Sequence, residues 1–165
     1  MGKTQLLIMK QVRIFTYIVG IIQIIGGGLL LYGLFKYSAN PQYDLFKSIL
    51  ITLPFILLSV VAGINILKTK TAKGLYLSFI NYFLQIVQFK IVGFYFFYSI
   101  GPYLGVGFVK NANQELSFWW EASEFIFINI TRFVNDKIGY FVSFNFVAIL
   151  FIIILLLELN NRKTR

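Results

Sequence analysis

Long uncharged apolar runs alternate along this chain with short clusters of charge. Ile14 to Phe35 gives 22 uncharged residues between Arg13 and Lys36. Ser48 to Leu67 gives 20 between Lys47 and Lys68, and Ile138 to Leu157 another 20 between Lys137 and Glu158. A bilayer core of about 30 Å needs roughly 20 helical residues, so each run is long enough to cross. Gly74 to Phe89 gives 16 before Lys90 interrupts, and Ile91 to Val109 gives 19 more. That last run contains Gly101-Pro102 and is crowded with aromatics. The pattern therefore predicts helices over about 12–36, 47–68, 72–88 and 139–159, with extended chain beginning near Lys90.

Charge placement orients these elements. Lys3, Lys10 and Arg13 form one basic group, Lys68, Lys70 and Lys73 a second, and Arg162, Lys163 and Arg165 a third. None of the three contains an acid. The two other loops mix signs. The positive-inside rule assigns the basic groups to the cytoplasm, and four spans satisfy it. A fifth span through Ile91–Val109 would send the basic C-terminus outside. The expected fold is thus a membrane all-α protein. It is a four-transmembrane-helix bundle in one domain, 1–165, with both termini cytoplasmic.

The segment 90–136 departs from this pattern. Its apolar runs are short and end at Gly101-Pro102, at Lys110-Asn111-Ala112-Asn113, at Glu121-Ala122-Ser123 and at Asn135-Asp136-Lys137. Short aromatic and β-branched runs at this spacing predict a small antiparallel β-rich insertion between helices 3 and 4. Interfacial helices are the competing reading. A sheet with open edges cannot lie in hydrocarbon, so the insertion is expected to be extracytoplasmic. Trp119 and Trp120 are adjacent, and in a strand adjacent residues point to opposite faces. One Trp can then pack inward while the other serves as an anchor for a partner.

Three helices carry a small or polar stripe at helical spacing. Thr16, Gly20, Gln23 and Gly27 share one face of the first, and Ser48, Thr52, Ser59 and Gly63 one face of the second. Ser78, Asn81, Gln85 and Gln88 share a face of the third. In membranes such faces pack against other helices, because small residues allow close approach and amides hydrogen-bond across. The alternative is a polar path. Ser143, Asn145 and Ala148 open the fourth helix, which is apolar on every side from there to Leu157. Lys90 is expected to snorkel to lipid headgroups at a helix end. Pro54 is expected to shape the second helix.

Composition narrows the chemistry. Hydrophobic residues make up 58% and charged residues 13%, against roughly 25% charged in a soluble domain. The net charge of +9 would suggest nucleic acid in a soluble protein. Here the basic residues flank apolar runs, so no nucleic acid is expected and anionic headgroups are the partner. With no Cys and no His, disulfides, thiol nucleophiles, imidazole bases and Cys/His metal sites are excluded. No cofactor or metal is expected. Glu115, Glu121 and Glu124 read as solvated turn residues. Asn129-Ile130-Thr131 matches a glycosylation sequon, a short motif common by chance. Ile-, Phe-, Lys- and Asn-rich usage is compatible with an AT-rich bacterial genome, and the expected location is the bacterial cytoplasmic membrane.

Three functions compete on these grounds. The first is a non-enzymatic accessory or interaction subunit that binds other membrane proteins or like copies through Trp119 and Trp120. The second is a small oligomeric channel or transporter that uses the polar faces. The third, a membrane enzyme, lacks catalytic groups within its spans.

Overall fold

The computed structural model describes residues 3–37, 45–68, 72–91, 94–110, 115–133 and 139–163. Among them the chain forms four helices and four strands. In order these are α1 (Lys3–Tyr37), α2 (Leu45–Lys68), α3 (Lys73–Phe83), β1 (Val87–Ile91), β2 (Phe94–Lys110), β3 (Leu116–Phe133), β4 (Tyr140–Asn145) and α4 (Phe146–Lys163).

The helices α1 and α2 form an antiparallel hairpin held by close approach. A Cβ on Gly63 would stand 2.5 Å from the Gly20 carbonyl oxygen, and one on Gly27 would stand 2.5 Å from Val60 Cγ2. As the numbering rises on α1, it falls on α2. Small residues at these positions let the two backbones approach where larger side chains would hold them apart.

The sheet has strand order β1-β4-β2-β3, and β1 also pairs with β2. The strands β1, β4 and β2 therefore close on one another. All three pairings are antiparallel, which straight strands cannot satisfy. The strand β2 has to bend. Its start, Phe94–Phe96, pairs with β1, and its end, Gly105–Lys110, pairs with β4. The bend falls at Gly101-Pro102. Gly101 has φ of 97°, a region that L side chains avoid. Pro102 has no N–H to give a ladder. There the register with β3 slips, from Gly101 opposite Ile126 to Tyr103 opposite Ser123. The extra β3 residue is a bulge, and it increases local twist. Gly107 leaves room for β4, since a Cβ there would collide with the Val142 carbonyl and the Ser143 backbone.

Two main cores divide the α1–α2 hairpin between them. Val19, Ile66, Leu75, Tyr82, Ala148, Ile152 and Leu155 join α3 and α4 to one end of it. Leu30, Leu34, Ile56, Tyr98 and Ile100 join β2 to the other. The sheet thus lies alongside the hairpin, in line with the two shorter helices.

This architecture corrects the expected four-transmembrane-helix bundle. Among the described residues two helices are long and apolar enough to cross a membrane by length and composition, Leu7–Lys36 with 30 residues and Phe46–Lys68 with 23. The third helix has 11 residues, or about 16 Å at 1.5 Å per residue. The fourth begins at Phe146 and carries Glu158, Arg162 and Lys163 in its last turns. Val87 and Gln88, expected to end the third helix, and Tyr140–Asn145, expected to begin the fourth, lie in strands. Nor is the sheet a small insertion beyond the helix ends, because β2 packs along α1 and α2. Hydropathy reports burial from water and does not separate a helix from a strand. Pairing with β2 decides it for these two aromatic and β-branched segments. The described residues of 90–136 are strand apart from Glu115, so the interfacial-helix reading is also set aside. The turn residues 111–113 and 135–137, together with Lys70 and Arg165, lie outside the described residues.

Candidate functional site

The residues expected as polar helix faces meet in one buried line that runs from the helices into the sheet. Gln23, Ser59, Ser78, Asn81, Gln88 and Ser143 are fully buried, and Gln85 and Asn145 nearly so. Ser78 Oγ donates to Gln23 Oε1 at 2.8 Å, which joins α3 to α1. Ser59 Oγ donates to the Gln23 carbonyl at 2.8 Å, which adds α2. Asn81 Nδ2 reaches Ser59 Oγ at 3.5 Å. The Tyr98 hydroxyl of β2 donates to Asn81 Oδ1. Thr16 is buried but satisfies itself within α1, by donating to the Val12 carbonyl at 2.9 Å.

Beyond Asn81 the line crosses the helix-to-strand turn. The helix α3 stops at Phe83, and residues 84–86 form a tight turn with Gln85 N–H on the Tyr82 carbonyl at 2.9 Å and Ile86 N–H on the Phe83 carbonyl at 3.2 Å. Gln85 Nε2 donates back to the Asn81 carbonyl at 3.3 Å. Its Oε1 accepts the Ile100 backbone N–H at 2.8 Å. Gln88, now on β1, donates to the Gln85 carbonyl at 2.8 Å. Gln88 Oε1 in turn accepts from Ser143 Oγ at 2.8 Å and from the Tyr103 hydroxyl at 3.2 Å.

The broken helix ends are closed by the same chain. Asn145 Oδ1 accepts the Val147 and Ala148 N–H groups at 3.1 and 3.3 Å, a side-chain cap on the α4 N-terminus. The Asn145 N–H donates to the Ile86 carbonyl at 2.8 Å. Every member of the line is a serine, asparagine, glutamine or tyrosine, so it carries no formal charge. Such a line can hold elements in register and orient dipoles. It contains no carboxylate, imidazole or amine for acid–base work. Among the described residues, Gln23 Nε2, the Tyr82 hydroxyl and Ser99 Oγ are buried polar atoms with no hydrogen-bond partner.

The two tryptophans point apart. Trp119 lies opposite Gly107 on the inner face of the sheet and packs edge-on against Phe141 at 5.0 Å. Trp120 lies opposite Val106 and is 66% exposed. Its face of the sheet also presents Leu104, Phe108, Phe118 and Phe144, all exposed. Lys90 is half-buried within β1, opposite Tyr95 of β2 and Phe141 of β4. It does not end a helix, as expected for a headgroup contact, because α3 stops seven residues earlier at Phe83.

Sequence reasoning named the polar residues of the helices but missed Tyr98 and Tyr103, which tie that line to the sheet. No local signal marks them. Their partners lie 17 and 15 residues away in sequence, and only the closure of β2 on β1 and β4 brings them together. No protein-family model, curated protein or solved structure matches the chain.

Proposed function

We propose that this chain is a membrane-embedded, non-enzymatic binding protein, an accessory subunit whose recognition surface is the sheet face around Trp120. The observation that carries this reading is an inverted distribution of polarity. Tyr32 is 63% exposed and Phe46 77%, while Gln23, Asn81 and Gln88 are at 0%. Isolated exposed apolar residues are ordinary in soluble proteins, but contiguous apolar surface marks contact with a membrane or a partner. Here apolar side chains line the outside of all four helices, and amides fill the inside. An apolar groove of about 220 Å³ between Phe46 and Leu57 on α2 suits an acyl chain.

In this reading α1 and α2 cross a bacterial cytoplasmic membrane. Lys10, Arg13, Lys68, Lys73 and Arg162 gather at one end of the helices, and that end faces the cytoplasm with both chain termini. The channel or transporter reading draws on the continuous polar line. Against it, the amides of that line are largely committed to one another, and both broken helix ends are capped internally. Transporters that use such ends leave them open toward substrate.

Mild detergent extraction followed by native mass spectrometry tests the proposal. A complex with another membrane protein that Trp120→Ala dissociates, in a chain still resistant to carbonate extraction, is the expected result. A chain released by carbonate would overturn it.

A further inference from the structure

The helices α3 and α4 enclose an apolar groove that ends among basic residues, and its assignment rests on the membrane reading above. Leu75, Tyr76 and Phe79 of α3 line it with Leu155, Leu156 and Leu159 of α4, around a volume of about 130 Å³. Leu75 and Leu155 are buried and belong to the core shared with α1, so they form its floor. Tyr76 and Leu156 are half-exposed and form its walls.

The two helices run antiparallel, as do β1 and β4, the strands next to them in the chain. Tyr82 meets Phe151 edge-on at 5.0 Å. From that contact the groove follows α3 back toward its first residue, Lys73, and α4 forward toward Arg162 in its last turn. Gly74 seats this end of α3 on α2, since a Cβ there would stand 2.6 Å from the Asn65 carbonyl carbon and the Ile66 nitrogen. Lys68, which ends α2, therefore comes to the same end. Lys68 and Lys73 are exposed. Glu158 is the described acid at this end, and it is buried against Arg162 at 3.0 Å. The first turn of α3 has no acid. Among the described residues no acid pairs with Lys73.

We propose that this groove holds an anionic phospholipid of the cytoplasmic leaflet, with an acyl chain between Tyr76 and Leu156 and the phosphate at Lys73. Charge complementarity selects the occupant. An apolar helix of a partner or of a second copy would fill the groove and leave its basic mouth unmatched. A zwitterionic lipid would bring no net charge to that mouth. Basic pockets between membrane helices on the cytoplasmic side bind anionic headgroups. Tyr76 stands one turn from Lys73, at the interfacial depth where tyrosine is favoured.

The full chain in mild detergent, titrated with phosphatidylglycerol or phosphatidylcholine of identical acyl chains, tests the site, with bound lipid counted by native mass spectrometry. A preference of about fivefold or more for phosphatidylglycerol is expected, the worth of one lysine near an anionic headgroup. Lys73→Gln should remove most of that preference and Lys73→Arg keep it. Tyr76→Ala should weaken both lipids alike, and Lys110→Gln, at the far end of β2, should change neither. Both α3 side chains are exposed, and an unchanged melting curve in detergent confirms that each variant folds. Equal binding of the two lipids, or a preference that survives Lys73→Gln, overturns the site. So does displacement of the lipid by glycerol phosphate, which has the anion without the chains. A dimer that Tyr76→Ala dissociates would put a second copy in the groove instead. Each of these results in a chain that resists carbonate extraction overturns the lipid site alone, whereas release by carbonate overturns the membrane reading itself.

Discussion

Gln85 accepts the backbone N–H of Ile100 at 2.8 Å, one residue before the bend of β2 at Gly101. A side chain from the turn after α3 thus holds a strand backbone at the place where the ladder with β3 slips. The bond joins the helical half of the protein to the sheet.

Removing that side chain leaves a donor unsatisfied in the core. Gln85→Leu is expected to destabilise the chain by about 1–3 kcal/mol, the cost of orphaning a buried N–H. Gln23→Leu should cost less, under about 1 kcal/mol. It removes the acceptor of Ser78 together with an amide nitrogen that has no partner now, and the freed Ser78 hydroxyl can turn to a carbonyl of its own helix, which a backbone N–H cannot do. Thermal unfolding of both variants in the same detergent checks the order. Equal losses would contradict the assigned roles.

The hairpin of α1 and α2 gives a second contrast. Gly63→Ala places a methyl 2.5 Å from the Gly20 carbonyl oxygen and 2.8 Å from Ile24 Cγ1, so the helices must separate. A loss of about 1–3 kcal/mol is expected, as for other overpacked contacts. Gly28→Ala meets nothing within 4 Å. It should stabilise α1 by about 0.5–1 kcal/mol through helix propensity. Chemical denaturation of the two variants measures both signs.

The tryptophans should separate stability from recognition. Trp119→Ala removes the edge contact with Phe141 and is expected to cost about 2 kcal/mol. Trp120→Ala should change stability by less than about 0.5 kcal/mol, as exposed sites usually do, while weakening partner association. A melting curve and a co-purification yield for each variant suffice. A large stability loss at Trp120 would contradict its outward placement.

The two long helices were legible because charge brackets them, Arg13 with Lys36 and Lys47 with Lys68. The other two expected spans were not. Gly74–Phe89 and Ile138–Leu157 are free of charge, yet each is part helix and part strand. The spacing of Ser78, Asn81, Gln85 and Gln88 fits a helix to its end. All four are buried although the helix stops at Phe83, because a tight turn carries Gln85 inward and a strand carries Gln88. Ser143 and Asn145, two apart, held a strand signal, and both are buried while Phe144 between them is exposed. Gly101-Pro102 read as the end of a run. It is a bend within one strand, and nothing local distinguishes the two, since it is β1 and β4 that make the bend necessary.

In the proposed membrane reading the sheet lies beside α1 and α2 within the bilayer. Trp119 and Trp120 are the chain's two tryptophans, and both are on β3, so the native fluorescence reports the sheet's position. The measurement is quenching in reconstituted vesicles, comparing lipids brominated along the acyl chains with iodide in the aqueous phase. Strong quenching by the brominated lipids and little by iodide is expected, with most of the lipid-dependent signal lost in Trp120→Ala. Strong iodide quenching with none from the brominated lipids would place the sheet in water and contradict it.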